Sequence, residues 1–235
     1  MVSSTQFIDE IRGERESILM IIACSGSKRR DYECEKIVQK FQVYRDTQNS
    51  LSESYNMLNH LFRQCVEKYH PTAVDRESKP YPAFVRYSGY FYKAIEESYG
   101  FELWKKALNQ GWNILILSAY YGFLRADDFI QYYNLRITQL NKQCLKILPR
   151  ILNAYLEIKP QIRKVIFFTS ETYMTPFRYR INKPVYRLSL KDEFGYKIIG
   201  SYGKDYYSYA GKIFASIIAG EQYLVSKAIS IELEG

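Results

Sequence analysis

Continuous apolar runs alternate along this chain with stretches whose apolar residues recur at helical spacing. Three apolar runs with polar boundaries predict buried strands at 17–23, 113–117 and 164–168. Helical periodicity predicts helices at 5–16, 50–69, 88–99, 101–110, 139–157 and 207–219. Ser88 is expected to cap the helix that it opens, and Pro149 is expected to kink or divide the helix that contains it.

The remaining segments complete one architecture. Residues 70–82 are expected to form a loop, residues 184–188 a short fourth strand, and residues 221–234 either a helix or a strand. Strands that alternate with helices are typical of α/β proteins. The pattern therefore predicts a single domain over residues 1–235, with a mainly parallel central sheet flanked by helices.

Composition narrows the class of protein. Hydrophobic residues make up 47% and charged residues 25%, as in ordinary soluble globular proteins. The amino-terminal stretch is acidic rather than basic and apolar, and no apolar run approaches membrane-spanning length. A cytoplasmic protein without membrane contact is therefore expected.

Cysteine and histidine are sparse and scattered. The four cysteines show no CxxC spacing and there are two histidines, which does not fit a structural zinc site. Reduced, mostly buried thiols are expected, with no metal and no cofactor. The adjacent carboxylates of Asp127 and Asp128 leave a site with oxygen ligands open.

The net charge and the tyrosine content point to a polyanionic partner. A net charge of +8 favours nucleic acid or a nucleotide-like anion, although many basic enzymes have no such partner. The 23 tyrosines suit stacking surfaces and grooves, but genome composition also accounts for such an excess.

A first polar cluster follows the first predicted strand. Ser25, Ser27 and Lys28 lie in a loop of small residues where backbone amides and one cation can approach an anion. The P-loop pattern is absent, so ATP hydrolysis is not supported. A simple turn with a solvated basic run is an equally good interpretation.

A second cluster surrounds the start of the helix predicted at 88–99. Arg86, Ser88 and Tyr90 combine a cation, a helix N-terminus and a stacking ring. These features suit an unstacked base or a sugar phosphate. The alternative is a capped helix with its aromatic rings in the core.

The densest cluster follows the second predicted strand, where α/β sheets place ligands. Its members are polar, aromatic or conformationally special, namely Ser118, Tyr121, Gly122, Arg125, Asp128, Tyr133 and Arg136. Asp128 is the candidate general base, and Arg125 or Arg136 the candidate anion clamp. An ordinary ion pair between Arg125 and Asp128 is the alternative.

Two weaker clusters complete the set. Ser170 follows the third predicted strand and is expected to begin a helix as its N-cap. Lys204 lies after a glycine-rich turn and is a further candidate for anion binding, although the sequence alone favours a plain surface turn.

The ordered motifs at 21–28, 87–92 and 117–136 resemble the YaaA family, the DUF328 peroxide-stress proteins, and its shorter DUF6884-type relatives. The last motif carries most of the resemblance. The opening loop departs from it, with Ser-Gly-Ser-Lys where longer members have Ser-Pro-Ala-Lys. The resemblance implies functional positions at Lys28, Tyr90, Ser118, Tyr121, Gly122, Arg125, Asp128, Tyr133 and Arg136.

Two functions follow as hypotheses. The resemblance implies an intracellular DNA-binding protein linked to oxidative stress. The alternative is an enzyme that acts on a nucleobase, nucleoside or nucleotide by glycosidic-bond cleavage or base exchange. In that enzyme Lys28, Arg125 and Asp128 would be catalytic, Tyr90 would stack, and all would line one site.

Overall fold

The apolar runs form the centre of one six-stranded sheet. A computed structural model describes residues 4–41, 53–191, 203–221 and 230–234. Its strands are β1 (Ile18–Ala23), β2 (Tyr81–Pro82), β3 (Asn113–Ser118), β4 (Gly122–Leu124), β5 (Phe129–Ile130), β6 (Lys164–Phe168), β7 (Val185–Lys191) and β8 (Ser230–Glu234). The main sheet has the order β4-β3-β1-β6-β7-β8, and β2 pairs with β5 separately.

The predicted α/β fold is confirmed. β1 lies between β3 and β6 and is parallel to both, with Ile21 opposite Leu115 on one side and Phe167 on the other. All six residues of β1 are buried, as an uninterrupted apolar run requires in a central parallel strand. β4 and β8 are antiparallel to their neighbours.

The strand order reverses at β1, which is the type of position where open α/β sheets form a crevice. The chain passes from β1 to β3 on one side and later returns to β6 on the other side. The strands that follow β1 in sequence are therefore added first on one side of β1 and later on its other side. In open α/β sheets, ligands bind at this point of reversal.

Helices and 3₁₀ turns connect the strands. The helices are α1 (Ser4–Gly13), α2 (Asp31–Phe41), α3 (Glu53–Tyr69), α4 (Ala83–Arg86), α5 (Tyr90–Tyr99), α6 (Glu102–Asn109), α7 (Lys142–Leu145), α8 (Leu148–Ile158), α9 (Glu171–Met174) and α10 (Lys204–Ala219). The 3₁₀ turns are Ile137–Gln139 and Thr175–Phe177. Within the described ranges, no helix has the length and apolar character needed to cross a membrane.

The packing of α10 on α5 depends on a close approach of the two helices at Gly211. α10 packs on α5 and α6, and α3 packs on α8 and β4. A Cβ atom on Gly211 would lie 2.4 Å from the carbonyl oxygen of Phe91, so the glycine lets α10 contact α5 closely. The ring of Phe214 then reaches Phe91 and Trp104, with centroids 5.4 and 5.6 Å away.

Several predicted elements differ from the observed ones. Ser88 is not an N-cap, because α5 begins at Tyr90 after an extended Gly89. The helix predicted at 139–157 is divided into a 3₁₀ turn, α7 and α8, and Pro149 lies in the first turn of α8, where its missing N–H breaks no bond. Parts of the predicted segments lie outside the described residues, namely 50–52, 200–202 and 222–229.

The expectation of four reduced thiols is wrong for one pair. Cys65 in α3 and Cys144 in α7 form a disulfide with a Cα–Cα distance of 5.6 Å. Cys24 and Cys34 are free and buried, as expected. The bonded cysteines are 79 positions apart, so their proximity is a product of tertiary packing that local spacing does not reveal.

Candidate functional site

Three strands of the sheet end side by side at the candidate site. β3, β1 and β6 are parallel neighbours, so the loops that follow Ser118, Ala23 and Phe168 share one end of the sheet. The Cys24 N–H donates to the Leu117 carbonyl at 3.0 Å, which joins the loop after β1 to the end of β3. The predicted polar clusters at these strand ends therefore meet in part.

Lys28 occupies the middle of this region. Its Nζ donates to the Ser25 carbonyl at 2.8 Å and lies 3.8 Å from the ring centroid of Tyr133 and 5.7 Å from that of Tyr87. Burial lowers the pKa of Lys28 to about 8, partly opposed by Cys24 and reinforced by the Arg86 guanidinium. The amine is therefore the candidate group that changes charge near neutral pH.

Three buried hydroxyl groups beside Lys28 form a chain. Ser118 Oγ donates to Tyr133 OH at 3.0 Å, and the hydroxyls of Tyr133 and Tyr87 are 2.9 Å apart. The backbone N–H groups of Tyr120 and Tyr121 donate to Ser118 Oγ at 3.2 and 3.0 Å. We call Lys28, Tyr87, Ser118 and Tyr133 the lysine–tyrosine cluster.

The phenols of this cluster are neutral. Burial raises the pKa values of Tyr87 and Tyr133 well above the ordinary value, because a phenolate would lose its hydration there. A neutral phenol both donates and accepts a hydrogen bond. The chain of hydroxyls is therefore able to keep its hydrogen bonds across the physiological pH range.

Two tyrosines that sequence reasoning did not select lie at the end of β6. The Tyr173 hydroxyl is 3.6 Å from Cys24 Sγ, and the Tyr207 hydroxyl donates to Ser170 Oγ at 3.2 Å. Ser170 is the N-cap residue of α9, as predicted, but its side chain makes no capping bond and contacts Tyr207 instead. No local motif marks Tyr207, because it reaches the site from α10.

A partly exposed face adjoins the lysine–tyrosine cluster, in which Ser25 is buried and Ser27, Tyr90 and Lys204 are exposed. Ser25 Oγ accepts from the Ser27 N–H at 3.1 Å, and a Cβ atom on Gly89 would lie 2.1 Å from the same Oγ. The next residue, Tyr90, is 47% exposed, and Lys204 Nζ lies 5.9 Å from its ring centroid. We call Ser25, Ser27, Tyr90 and Lys204 the serine-loop face.

Two helices begin at this face. α5 starts at Tyr90 and α10 starts at Lys204, and the two helices pack against each other. Their N-cap residues are Gly89 and Gly203, so neither terminus has a side-chain cap. The first N–H groups of a helix and its dipole attract anions. The face thus combines an exposed ring, a lysine and two helix N-termini.

Arg86 is held by the chain itself. Its fully buried guanidinium donates to the Arg29 carbonyl at 2.7 Å, to Asp31 Oδ1 at 2.8 Å and to the Lys79 carbonyl. The Arg29 N–H in turn donates to the Arg86 carbonyl at 2.8 Å. These contacts make Arg86 a positioning residue for the loop that carries Lys28.

The predicted acid and anion clamp make local contacts. Asp128 Oδ2 accepts from the Arg125 N–H at 2.8 Å, and Arg125 Nη2 pairs with Asp127 Oδ2 at 2.7 Å. β4 runs antiparallel to β3 and pairs Leu124 with Ile116, which carries the chain back from the carboxyl end of β3. None of the described contacts joins Arg125 or Asp128 to Lys28.

The other predicted residues divide between the cluster and its surroundings. The Tyr121 ring centroid is 5.6 Å from that of Tyr133, and the Tyr121 hydroxyl accepts from the Gln131 N–H at 3.0 Å. Gly122 has φ +75°, which lets the chain turn directly from β3 into β4. Arg136 is exposed, and its N–H donates to Gln139 Oε1 at 2.8 Å.

The described residues contain no cluster of side chains that is typical of a metal site. Among the residues whose placement is described, no group of three His, Cys, Asp or Glu side chains lies together. Asp127 and Asp128, the one pair left open by the sequence, both accept hydrogen bonds from Arg125.

Comparison with known protein families agrees with the motifs in these loops. A family model described as peroxide stress protein YaaA matches residues 20–221. The chain belongs to this family. The match runs from β1 to the end of α10, so the YaaA-family segment includes the whole lysine–tyrosine cluster and the serine-loop face. The resemblance drawn from the motifs is thereby confirmed, as is the link to peroxide stress proteins. A search of curated proteins finds no match.

Proposed function

We propose that the serine-loop face and the lysine–tyrosine cluster together form a nucleotide-binding site of an enzyme. The observation that carries this proposal is the exposed Tyr90 ring, which lies next to Lys204 at the start of two uncapped helices. Aromatic rings stack on bases, and helix N-termini bind phosphate. Both parts of a nucleotide therefore have a matching group at this end of the sheet.

Lys28 is the candidate reactive group of the proposed enzyme. Its pKa of about 8 gives a substantial neutral fraction near pH 8, so the amine is suited to accept a proton or attack a carbon. Asp128 is less suited, because its carboxylate accepts from the Arg125 backbone. Cleavage of a glycosidic bond or exchange of a base is the reaction class to test first.

Tyr90→Ala is expected to weaken binding of mononucleotides by about 5- to 150-fold, which is the scale of one base–aromatic stack. Isothermal titration with AMP, GMP, CMP and UMP measures this, and chromatography of released base tests for turnover. Tyr179→Ala is the control, because it also removes an exposed tyrosine ring. Equal losses in the two variants, or no binding of any mononucleotide by the wild type, would contradict the proposal.

The same titration has a pH arm. A phosphate group prefers the protonated amine, which predominates below the Lys28 pKa of about 8. Nucleotide affinity is therefore expected to fall as the pH rises through 8, and to fall less in Lys28→Met. An identical pH dependence in both proteins would remove Lys28 from the binding site.

DNA binding is the second candidate function, and the net charge of +8 favours it. Fluorescence anisotropy with a labelled duplex and a labelled single strand is expected to show binding at low salt that weakens steeply with added salt. If neither oligonucleotide binds at protein concentrations of about tens of micromolar, this candidate fails. Loss of mononucleotide binding but not of duplex binding in Tyr90→Ala would separate the two functions.

A further inference from the structure

The disulfide lies outside the proposed nucleotide site but encloses its components. Cys65 and Cys144 are 79 positions apart, and the segment between them contributes Tyr87, Ser118 and Tyr133. Three of the four members of the lysine–tyrosine cluster therefore belong to the loop that this bond closes. Only Lys28 comes from outside the loop.

Tyr133 is connected to both helices that the bond joins. Its segment is held against the chain that follows α3, because the Asn134 N–H donates to the Ala73 carbonyl at 2.8 Å and Val74 forms a β-bridge with Tyr133. After Tyr133 the chain continues through the 3₁₀ turn Ile137–Gln139 into α7, which carries Cys144. A movement of α7 would therefore reach Tyr133 through the chain that connects them.

Besides the disulfide and side-chain packing, one described hydrogen bond links α7 to α3. The Tyr69 hydroxyl donates to Gln143 Oε1 at 2.6 Å, and this bond is solvent-exposed. An exposed hydrogen bond contributes little net stability because water competes for both partners. The covalent bond is therefore the strongest single link between the two helices among the described contacts.

The two cysteine residues differ in their exposure to solvent. Cys144 is fully buried, whereas Cys65 is partly exposed on α3. Thiol–disulfide exchange begins when a thiolate attacks a disulfide sulfur. The protein sulfur that takes part in this step must be accessible to the small molecule, whether it attacks or is attacked. Cys65 is therefore the cysteine that a small molecule can react with first, and Cys144 is the cysteine that then forms the disulfide with it.

We propose that Cys65 and Cys144 are a reversible dithiol–disulfide pair whose state sets how firmly Tyr133 is held over Lys28. The oxidant is a low-molecular-weight disulfide such as oxidised glutathione. The Cys65 thiolate attacks it, forms a mixed disulfide and releases one glutathione thiolate. The Cys144 thiolate then displaces the second glutathione. Two protein thiols lose two electrons and two protons, and one glutathione disulfide becomes two thiols.

The chemical step is tested by mapping thiols in the whole protein. After incubation with oxidised glutathione, alkylation and peptide mass spectrometry are expected to find Cys65 and Cys144 joined to each other. After treatment with excess reduced glutathione or dithiothreitol, both are expected to be alkylated. Detection of both as free thiols after the oxidising incubation would overturn the proposal.

The structural consequence is tested by comparing the two states. Amide hydrogen exchange in residues 133–139 is expected to rise about tenfold on reduction, while exchange in α10 stays unchanged. The NOE between the Lys28 methylene protons and the Tyr133 ring is expected to weaken. Unchanged exchange and an unchanged NOE would show that the bond does not govern Tyr133.

Two variants control for effects of the reagents. Cys65→Ser/Cys144→Ser is expected to match the reduced protein and to ignore the reductant, and Cys34→Ser is expected to behave as the wild type. If the double variant does not fold, the reduced wild-type protein supplies the same comparison. These measurements do not depend on nucleotide binding, so they test the disulfide proposal independently of the proposed function.

Discussion

Replacing Arg86 by Met is expected to lower the free energy of unfolding by about 3–5 kcal/mol, because three hydrogen bonds of a charged, buried guanidinium are lost together. The side chain is fully buried and donates to Asp31 and to the carbonyls of Arg29 and Lys79. Met fills a similar volume but donates nothing. The variant therefore leaves the Arg29 and Lys79 carbonyls and the Asp31 carboxylate without the donor that they share.

Urea denaturation of Arg86→Met and of Arg178→Met measures this effect against a matched control. Arg178 pairs with Glu171 at 2.7 Å, but both side chains are largely exposed. Removal of an exposed ion pair is expected to cost no more than about 1 kcal/mol. Equal losses in the two variants would show that Arg86 does not act as a buried restraint.

The Arg86 result has a dependence on pH. Burial raises the pKa of Asp31, but hydrogen bonds from Lys79 and Arg86 outweigh it and hold that pKa below its ordinary value of 3.8. The resulting stability is present above pH 3.8 and is lost as the pH falls through the folded-state pKa. The difference between wild type and Arg86→Met is therefore expected to narrow in acid.

The sheet was predictable because its strands are continuous apolar runs. The strand predicted at 164–168 matches β6, and those predicted at 17–23 and 113–117 each differ from the structure by one residue. A run buried on both faces is typical of a parallel sheet between helices, which also places the loops after these strands at one end. Lys28 and Ser118 were expected to meet there for this reason, and the structure brings both to Tyr133.

The position of Arg125 and Asp128 was not predictable from the same pattern. Gly122 was recognised as conformationally special, but the three-residue strand that it begins is too short to show a period. That strand reverses the chain and carries Arg125 away from Ser118. Tyr207 and the Cys65–Cys144 bond were missed because each depends on packing between distant segments.

Replacing Tyr133 by Ala is expected to lower the free energy of unfolding by about 3–5 kcal/mol, the usual cost of deleting a buried aromatic side chain. The ring packs against those of Tyr120 and Tyr121, with centroids 5.7 and 5.6 Å away, and it covers Lys28. Its loss admits water to the amine. Since burial is the main cause that lowers the Lys28 pKa to about 8, this pKa is expected to return toward 10.5 in the variant.

Tyr133→Phe separates the ring from its hydroxyl. The Phe variant keeps the cover over Lys28 but removes the acceptor of the Ser118 bond and the partner of Tyr87. Its cost is expected to be about 1–3 kcal/mol, with the Lys28 pKa unchanged. Titration of ¹³C-labelled lysine by NMR measures the pKa in all three proteins. A Lys28 pKa that stays near 8 in Tyr133→Ala would show that the ring does not exclude water from the amine.

The pH dependence of the free energy of unfolding of wild type and Tyr133→Ala provides an independent measurement of how far Lys28 is buried. Below pH 8, Lys28 is protonated in both the folded and unfolded wild-type protein, and the cost of burying its charge is constant. Between pH 8 and 10.5 the unfolded chain binds more protons, so wild-type stability gains from Lys28 as the pH rises. Above the ordinary tyrosine pKa of 10.0, the buried phenols of Tyr87 and Tyr133 reverse this trend, because they resist ionisation only when folded. Between pH 8 and 10, the stability gap between wild type and Tyr133→Ala is therefore expected to widen.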